Sequence, residues 1–292
     1  KGTEAGKLLK IQGGIIMVVQ HNLTAMNANR QLGIVTNSQA KATEKLSSGY
    51  KINRAGDDAA GLSISEKMRS QIRGLNKAST NAEDGVSLIQ TAEGALNETH
   101  SILQRMNELA TQAANDTNTS TDRKAIKAEL TALTSELNRI ASTTQFNTMN
   151  LLDGTFTGKN LQVGALSGQK ISISISGMNA NKLGLAGKNG KMSIAVSTFT
   201  AAGKAMTKIQ SAITKVSTQR SALGAIQNRL EHTIANLDTT SENTSSAESR
   251  IRDTDMADAM VEYSKNQILA QAGQSMLAQA NQATQGVLSL LG

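Results

Sequence analysis

The sequence predicts a mainly α-helical protein, a long coiled-coil helical bundle formed by paired N- and C-terminal segments, with a small β element in the middle. Apolar residues recur every seven positions over long stretches, which is the period of helices that pack side by side. There is no proline, although average usage near ~5% would give about fifteen residues, and uninterrupted helices are therefore possible. Aromatic residues make up only 2% of the chain, so burial must come from aliphatic side chains along thin helix–helix seams.

Three rows of apolar residues predict the long helices. Their shared feature is a step of seven, or alternating steps of four and three, which places every member on one helix face. The first row is Met68, Leu75, Ala82, Ile89, Leu96, Leu103 and Ala110. The second, in a helix from about Asp122, is Ile126, Leu130, Leu133, Leu137 and Ile140. The third is Ile209, Val216, Leu223, Leu230 and Leu237. Three such stripes in one chain bury one another as a bundle.

The pattern changes between the second and third helices. From Lys170 to Ser176 isoleucine and serine alternate strictly, which predicts a strand with one buried face. Residues 192–196 are a second candidate strand, and the glycines at 187 and 190 indicate a turn between the two. We therefore expect a small β region at about residues 155–203.

Both ends of the chain lack formal charge, over residues 18–29 and 266–292. Surface helices normally carry charges for solubility, so these ends predict burial against other copies of the chain. Glutamines interrupt the C-terminal stretch, which excludes a membrane span there. The predicted self-assembly seam comprises Val19, Leu23, Met26, Leu269, Met276, Leu277, Ala280, Val287, Leu290 and Leu291.

Residues 1–16 differ from the rest, since Met17 opens a stretch that resembles a natural start. The apolar run before Met17 is short and is followed by no small-residue cleavage site, so it does not predict a signal peptide. We interpret these sixteen residues as a leader or a vector-derived extension.

The composition and the dispersed polar residues argue against catalysis, cofactors and metals. The chain has no cysteine, and its three histidines, His21, His100 and His232, lie in different segments. The acidic cluster at Asp253, Asp255 and Asp258 lacks the glycine and glutamate of a calcium loop, and we interpret it as favouring the start of the last helix. The net charge is +7 with the positive residues scattered, so neither nucleic acid nor membrane is expected as a partner.

Several long motifs, in order, resemble the bacterial flagellin family from Met17 to Gly292. The N-terminal motif spans Leu46–Gly61 and reads LSSGYKINRAGDDAAG. It is followed by Leu103–Asn115, by Gln145–Asn147, by Ala247–Ala257 and by the terminal LSLLG from Leu288. Five such motifs in the right order are far more specific than any single short pattern.

The resemblance implies a subunit that polymerises into the bacterial flagellar filament for motility. Residues 17–58 and 253–292 would form the terminal coiled-coil domain of the filament core, residues 59–154 and 204–252 a helical rod domain, and residues 155–203 the outer β region. It also implies secretion, unfolded, through the flagellar type III apparatus. The implied partners are further copies of the chain, the cap, the hook-junction proteins and an export chaperone.

The resemblance further implies a ligand of Toll-like receptor 5. The family's receptor-contacting positions correspond to Arg105, Leu109 and Glu129, and all three residue types match. From the residues alone, the preferred interpretation is that Leu109 packs within the bundle and that Arg105 and Glu129 lie on a solvated helix face.

Three alternatives stay open at this point. A hook–filament junction protein would have similar chain ends. A secreted helical protein that acts mainly on a host receptor would be a stable soluble monomer. An enzyme is the third class, and no residue pattern supports it.

Overall fold

The computed structural model describes residues 22–187 and 192–291, and only the backbone of residues 284–291. Its helices are α1 Leu23–Ser48, α2 Ala59–Ala113, α3 Ser120–Thr143, α4 Ala180–Leu183, α5 Phe199–Arg252 and α6 Met256–Leu291. Its strands are β1 Gln145–Phe146, β2 Met149–Asn150, β3 Lys159–Gln162 and β4 Lys170–Ile173. The mainly helical class predicted from the sequence is confirmed.

The chain divides into two compact units. One, here called the terminal unit, lies within Lys1–Glu66 and Ala247–Gly292; the other, the central unit, is Lys67–Ser246. The predicted leader, residues 1–16, lies outside the described residues.

The three predicted apolar rows form the core of the central unit. Leu96 and Leu103 of α2, Leu130 of α3 and Leu223 of α5 are completely buried in one cluster. In the first row the burial is complete from Ala82 to Ala110. α3 begins where the sequence indicates, because Thr119 and Asp122 cap it reciprocally: the Asp122 backbone N–H donates to Thr119 Oγ1 and the Thr119 backbone N–H donates to Asp122 Oδ2.

The β region is only partly as predicted. The alternating segment forms β4, with Ile171 and Ile173 buried, but its antiparallel partner is β3, with Lys159 opposite Ile173. β3 has a single apolar residue, Leu161, so it carries no alternating signal. A second short hairpin, β1–β2, was also not predicted.

The prediction of a strand at residues 192–196 is wrong. Only Met192 forms an isolated bridge, with Ala186, whereas Ile194 and Val196 are buried in the helical core. Alternating burial arises here from packing against helices, which needs no strand ladder. The predicted turn at residues 187–190 falls largely outside the described residues.

Candidate self-assembly interface

α1 and α6 pack against each other in antiparallel directions in the terminal unit. At one end Asn22 Nδ2 donates to the carbonyl oxygen of Ala280 at 2.9 Å, and at the other Tyr50 and Asp253 form an antiparallel bridge. Small side chains bring the helices close: Ala42, Ala259 and Ala270 are buried between them. The charge-free ends of the sequence therefore meet within one chain.

Gly273 of α6 packs closely against α1. A Cβ atom placed on it would lie 3.3 Å from Leu32 Cδ1 of α1, tighter than an ordinary carbon–carbon contact. Asn266, Ala270, Gly273, Leu277 and Ala280 follow one another at steps of four and three, and all are buried or half-buried. We call this row the α1-facing seam of α6.

Several large apolar side chains of α6 lie outside this seam and are exposed in the single chain. Val261 is 69% exposed and Ile268 66% exposed, and Leu269 and Met276 are exposed beside them. At about 100° per residue Val261 and Ile268 lie roughly half a turn away from the α1-facing seam, whereas Leu269 and Met276 lie only about 60–80° from it, on one flank. α1 repeats the arrangement, since Leu23, Met26 and Ile34 are exposed on the side away from α6. We call these two surfaces the outward apolar faces.

The structure divides the predicted self-assembly residues between these two kinds of surface. Leu277 and Ala280 lie in the α1-facing seam, whereas Leu23, Met26, Leu269 and Met276 lie on the outward apolar faces. Val19 lies outside the described residues, and Val287, Leu290 and Leu291 belong to α6 with side chains that are not described.

The sequence interpretation missed five exposed apolar residues of these helices: Ile34, Met256, Met260, Val261 and Ile268. A step of seven joins Val261 to Ile268, and that signal was available in the sequence. It was overlooked because the charged residues Glu262 and Lys265 lie between them and the charge-free stretch starts only at Asn266.

An arginine-centred joint holds the ends of four helices in the terminal unit. Arg252 ends α5; its guanidinium lies 4.9 Å from the ring centroid of Tyr50, and its Nη1 lies 2.5 Å from Glu66 Oε1 in α2. Its carbonyl oxygen accepts a 2.7 Å hydrogen bond from the Lys51 backbone N–H, and the Thr254 N–H donates to Gly49 across the same joint. The Arg252 side chain is only 12% exposed, so this ion pair is screened less than a surface pair.

Replacing Arg252 with alanine is expected to weaken this joint by about 2 kcal/mol, the sum of a cation–π contact and a partly buried ion pair. Hydrogen exchange of the Lys51 and Thr254 amides, which bond across the joint, would measure the change. Arg54→Ala is the matched control, because the Arg54–Glu44 pair is largely exposed and should contribute under about 1 kcal/mol. Equal protection in both variants would contradict a stabilising role for Arg252.

The last helix begins at a capping aspartate. Asp255 Oδ1 accepts hydrogen bonds from the backbone N–H groups of Ala257 and Asp258. The interpretation of this acidic cluster as a helix start is confirmed. The part of the chain that the structure describes holds no group of three or more His, Asp or Glu side chains that could share a metal ion.

Two of the three predicted receptor residues are brought together on the central unit. Arg105 Nη2 lies 3.0 Å from Glu129 Oε1, and Arg105 Nη1 lies 3.1 Å from Glu108. Hydrogen bonds to Glu108 and then to Glu129 raise the pKa of the Arg105 guanidinium above its ordinary value. Leu109 is 2% exposed and packs within the helical core.

Within the described ranges, no helix combines the length and the apolar character that crossing a bilayer requires.

Comparison with known proteins assigns the chain to a family. Residues 19–157 match the bacterial flagellin N-terminal helical region, and residues 206–291 match the bacterial flagellin C-terminal helical region. A flagellin from Halalkalibacterium halodurans is 55% identical over 277 residues, which cover 94% of this chain and 100% of that protein. The chain belongs to the bacterial flagellin family. It is thus a structural protein of the flagellar filament and not an enzyme.

A second flagellin shows similar agreement in sequence. The flagellin of Bacillus subtilis is 50% identical, over 94% of this chain and 100% of its own length. The crystal structure of Bacillus cereus flagellin aligns with a TM-score of 0.46 and 31% identity, over 54% of this chain and 88% of that one. The two flagellin regions leave out residues 158–205, which contain β3, β4 and α4 of this flagellin.

Proposed function

We propose that the outward apolar faces of α1 and α6 make the contacts between subunits in the filament. The exposed row through Val261 and Ile268 is the observation that supports this proposal most strongly. A large apolar side chain contributes about 1.5–3 kcal/mol when it leaves water, and several such residues repeat in every copy. Polymerisation would bury what the single chain leaves exposed.

The α1-facing seam has a different role in this proposal. It holds α1 and α6 together as one antiparallel pair, so that each subunit presents both outward faces as a unit. In the family's architecture this pair, residues 17–58 and 253–292, forms the filament core. Residues 59–154 and 204–252 form the rod around it, and residues 155–203 lie outermost.

Negative-stain electron microscopy after addition of a precipitating salt tests the proposal directly, on the chain with and without residues 1–16. We expect long uniform filaments. Soluble monomer in both samples would contradict self-assembly through these faces and favour a secreted protein that acts on a host receptor. Filaments from the shorter chain alone would show that the leader blocks the contacts.

The same chain would leave the cell unfolded through the flagellar type III apparatus. Two features of the composition support this route. The absence of cysteine excludes disulfides that would have to break before passage, and the absence of proline removes slow isomerisation from refolding outside. The export chaperone, the cap and the hook-junction proteins are the partners proposed for these steps, and the extracellular filament is the proposed location.

We also propose that Toll-like receptor 5 recognises the exposed Arg105–Glu129 pair. Both side chains are about half exposed and lie on adjacent helices, so a partner can reach them together. Leu109, being buried, would contribute by holding this part of α2 in place rather than by direct contact.

A receptor reporter assay with Arg105→Ala tests this proposal. We expect at least about a tenfold loss of potency, since truncation of a charged contact at the centre of an interface costs about 2 kcal/mol. Arg139→Ala is the matched control, because Arg139 forms a similarly exposed pair with Glu136 on α3. Equal potency of the two variants would contradict the proposed contact.

A further inference from the structure

The central part of the chain carries its charge very unevenly. Residues 154–230 contain ten lysines and arginines and not one aspartate or glutamate. The expectation that the positive residues are scattered is therefore wrong for this segment. Since the whole chain has a net charge of +7, the remainder is slightly acidic.

The fold gathers lysines from this segment and from α3 along one surface of the central unit. Residues 193–197 have a cleft on each side. Lys124 and Lys127 of α3 line one cleft, and Lys204 and Lys208 of α5 line the other. Lys215 continues the row and meets Lys182 at a larger cavity of about 580 Å³. We call this surface the lysine strip; it consists of Lys124, Lys127, Lys182, Lys204, Lys208 and Lys215.

Helix geometry makes this strip continuous along α5. Lys204, Lys208 and Lys215 are separated by four and seven residues, so the three side chains lie within about 40° of one another around the helix axis. They extend over about 17 Å of its length. Three exposed lysines in one line present a linear array of positive charge.

The strip is not neutralised by the protein. All six lysines are exposed, and none forms an ion pair with a described carboxylate. The three acids of α3 are engaged elsewhere, since Asp122 caps the helix by accepting from Thr119, Glu129 pairs with Arg105 and Glu136 pairs with Arg139. Six like charges in proximity repel one another, and an anionic partner would relieve that repulsion.

The surroundings of the lysines indicate what kind of anion fits. Exposed hydroxyl groups border the strip, among them Ser193, Ser211 and Thr218. Ser211 and Thr218 donate to backbone carbonyls of their own helix and Ser193 accepts from Lys208, which leaves acceptor lone pairs on each oxygen for a sugar hydroxyl. Phe199, the one exposed aromatic on α5, lies more than a third of a turn away from Lys204. The strip therefore lacks both the stacking platform of a single-stranded nucleic-acid site and the apolar wedge of a membrane-surface helix.

We propose that the lysine strip binds a linear anionic polysaccharide. Lysine suits this partner, because its ammonium group is a compact point charge on a flexible stem and can follow irregularly spaced carboxylates or sulfates. Such an activity lies beyond filament formation and would give a filament subunit affinity for acidic polymers in its surroundings.

Equilibrium binding of the full soluble chain to immobilised heparin and to immobilised hyaluronan, over a series of salt concentrations, tests the proposal. Heparin supplies sulfates and hyaluronan carboxylates alone, so the two arms distinguish the anionic groups. For the triple variant Lys204→Gln, Lys208→Gln, Lys215→Gln we expect about tenfold weaker binding, because three exposed charge contacts are lost. We also expect a shallower salt dependence, because fewer counterions are released.

The control variant is Lys41→Gln, Lys67→Gln, Lys77→Gln, which removes the same charge from exposed positions on α1 and α2. Its affinity should stay within about twofold of the wild type. A second variant, Lys124→Gln with Lys127→Gln, tests the strip from α3 and should also weaken binding; circular dichroism checks the folding of every variant. Equal losses in both triple variants, or no binding by the wild type, would overturn the proposal. Tighter strip-dependent binding to duplex DNA than to either polysaccharide would overturn the choice of polymer.

Discussion

Ile268→Asp is expected to abolish filament growth while leaving the α1–α6 pair intact. Ile268 is 66% exposed on the outward apolar face, so in the single chain the new carboxylate remains in water at little cost. In a polymer that buries this face the carboxylate would be desolvated without a partner, at a cost of several kcal/mol for each subunit. Seeded polymerisation followed by light scattering and electron microscopy measures the loss, and hydrogen exchange of the monomer checks the helix pair.

Gln267→Asp is the matched control for this variant. It adds the same charge one residue away, but turned by about 100° towards the polar flank between the two apolar sides of α6. We expect it to form filaments. If Ile268→Asp also forms normal filaments, the outward face is not a subunit contact; if both variants fail, net charge rather than position decides.

Leu277→Asp distinguishes the role of the α1-facing seam of α6 from the role of its outward apolar face. Leu277 is half-buried in the α1-facing seam, next to the Gly273–Leu32 contact. A charge there should loosen the helix pair within the single chain, so hydrogen exchange in α1 should rise and assembly should fail as a consequence. The central unit, whose core includes no α6 residue with a described side chain, should keep its thermal transition.

The long helices could be predicted because their burial follows a single local period. Val216, Leu223 and Leu230 are seven residues apart and all are completely buried, so spacing alone defined the core face of α5. The start of α3 was equally local, since the cap at Thr119 involves residues only three positions apart.

The β region could not be predicted to the same degree because pairing there is non-local. β4 shows a clear alternation, but its partner β3 is recognised only by the ladder that joins Leu161 to Ile171. Residues 192–196 show the converse, since Ile194 and Val196 alternate in burial without a ladder. Alternation reports which side chains are buried and does not report what buries them.

The sequence predicted a single self-assembly surface, whereas the structure divides its residues between the α1-facing seam and the outward apolar faces. Absence of charge in residues 18–29 and 266–292 indicated burial, yet it could not distinguish contacts within the chain from contacts between chains. Ala270 and Gly273 are small because α1 packs against them, whereas Ile268 is large and lies on the side away from α1. To make that distinction one must know where α1 packs, and the sequence pattern of α6 does not show this.

Deletion of residues 266–292 is expected to abolish polymerisation completely and to leave the central unit folded. The deletion removes Ile268, Leu269 and Met276 from the outward face, and Ala270 and Gly273 from the seam. The N-terminal half of α1 then has no helix to pack against, and a single amphipathic helix does not offset its ordering entropy in water. The core of the central unit lies within Lys67–Ser246. Its free energy of unfolding should therefore change by less than about 0.5 kcal/mol.

Circular dichroism melting and sedimentation of polymer, both compared with the full chain, measure the two expectations separately. The helical signal should fall by the contribution of α6 and part of α1, while the main transition stays at its temperature. Filaments from the truncated chain would show that the subunit contacts come from the central unit, and the outward faces would then have no role in assembly. Loss of the main transition would show instead that the central core depends on α6, which the separate burial of Leu96, Leu130 and Leu223 in that core argues against.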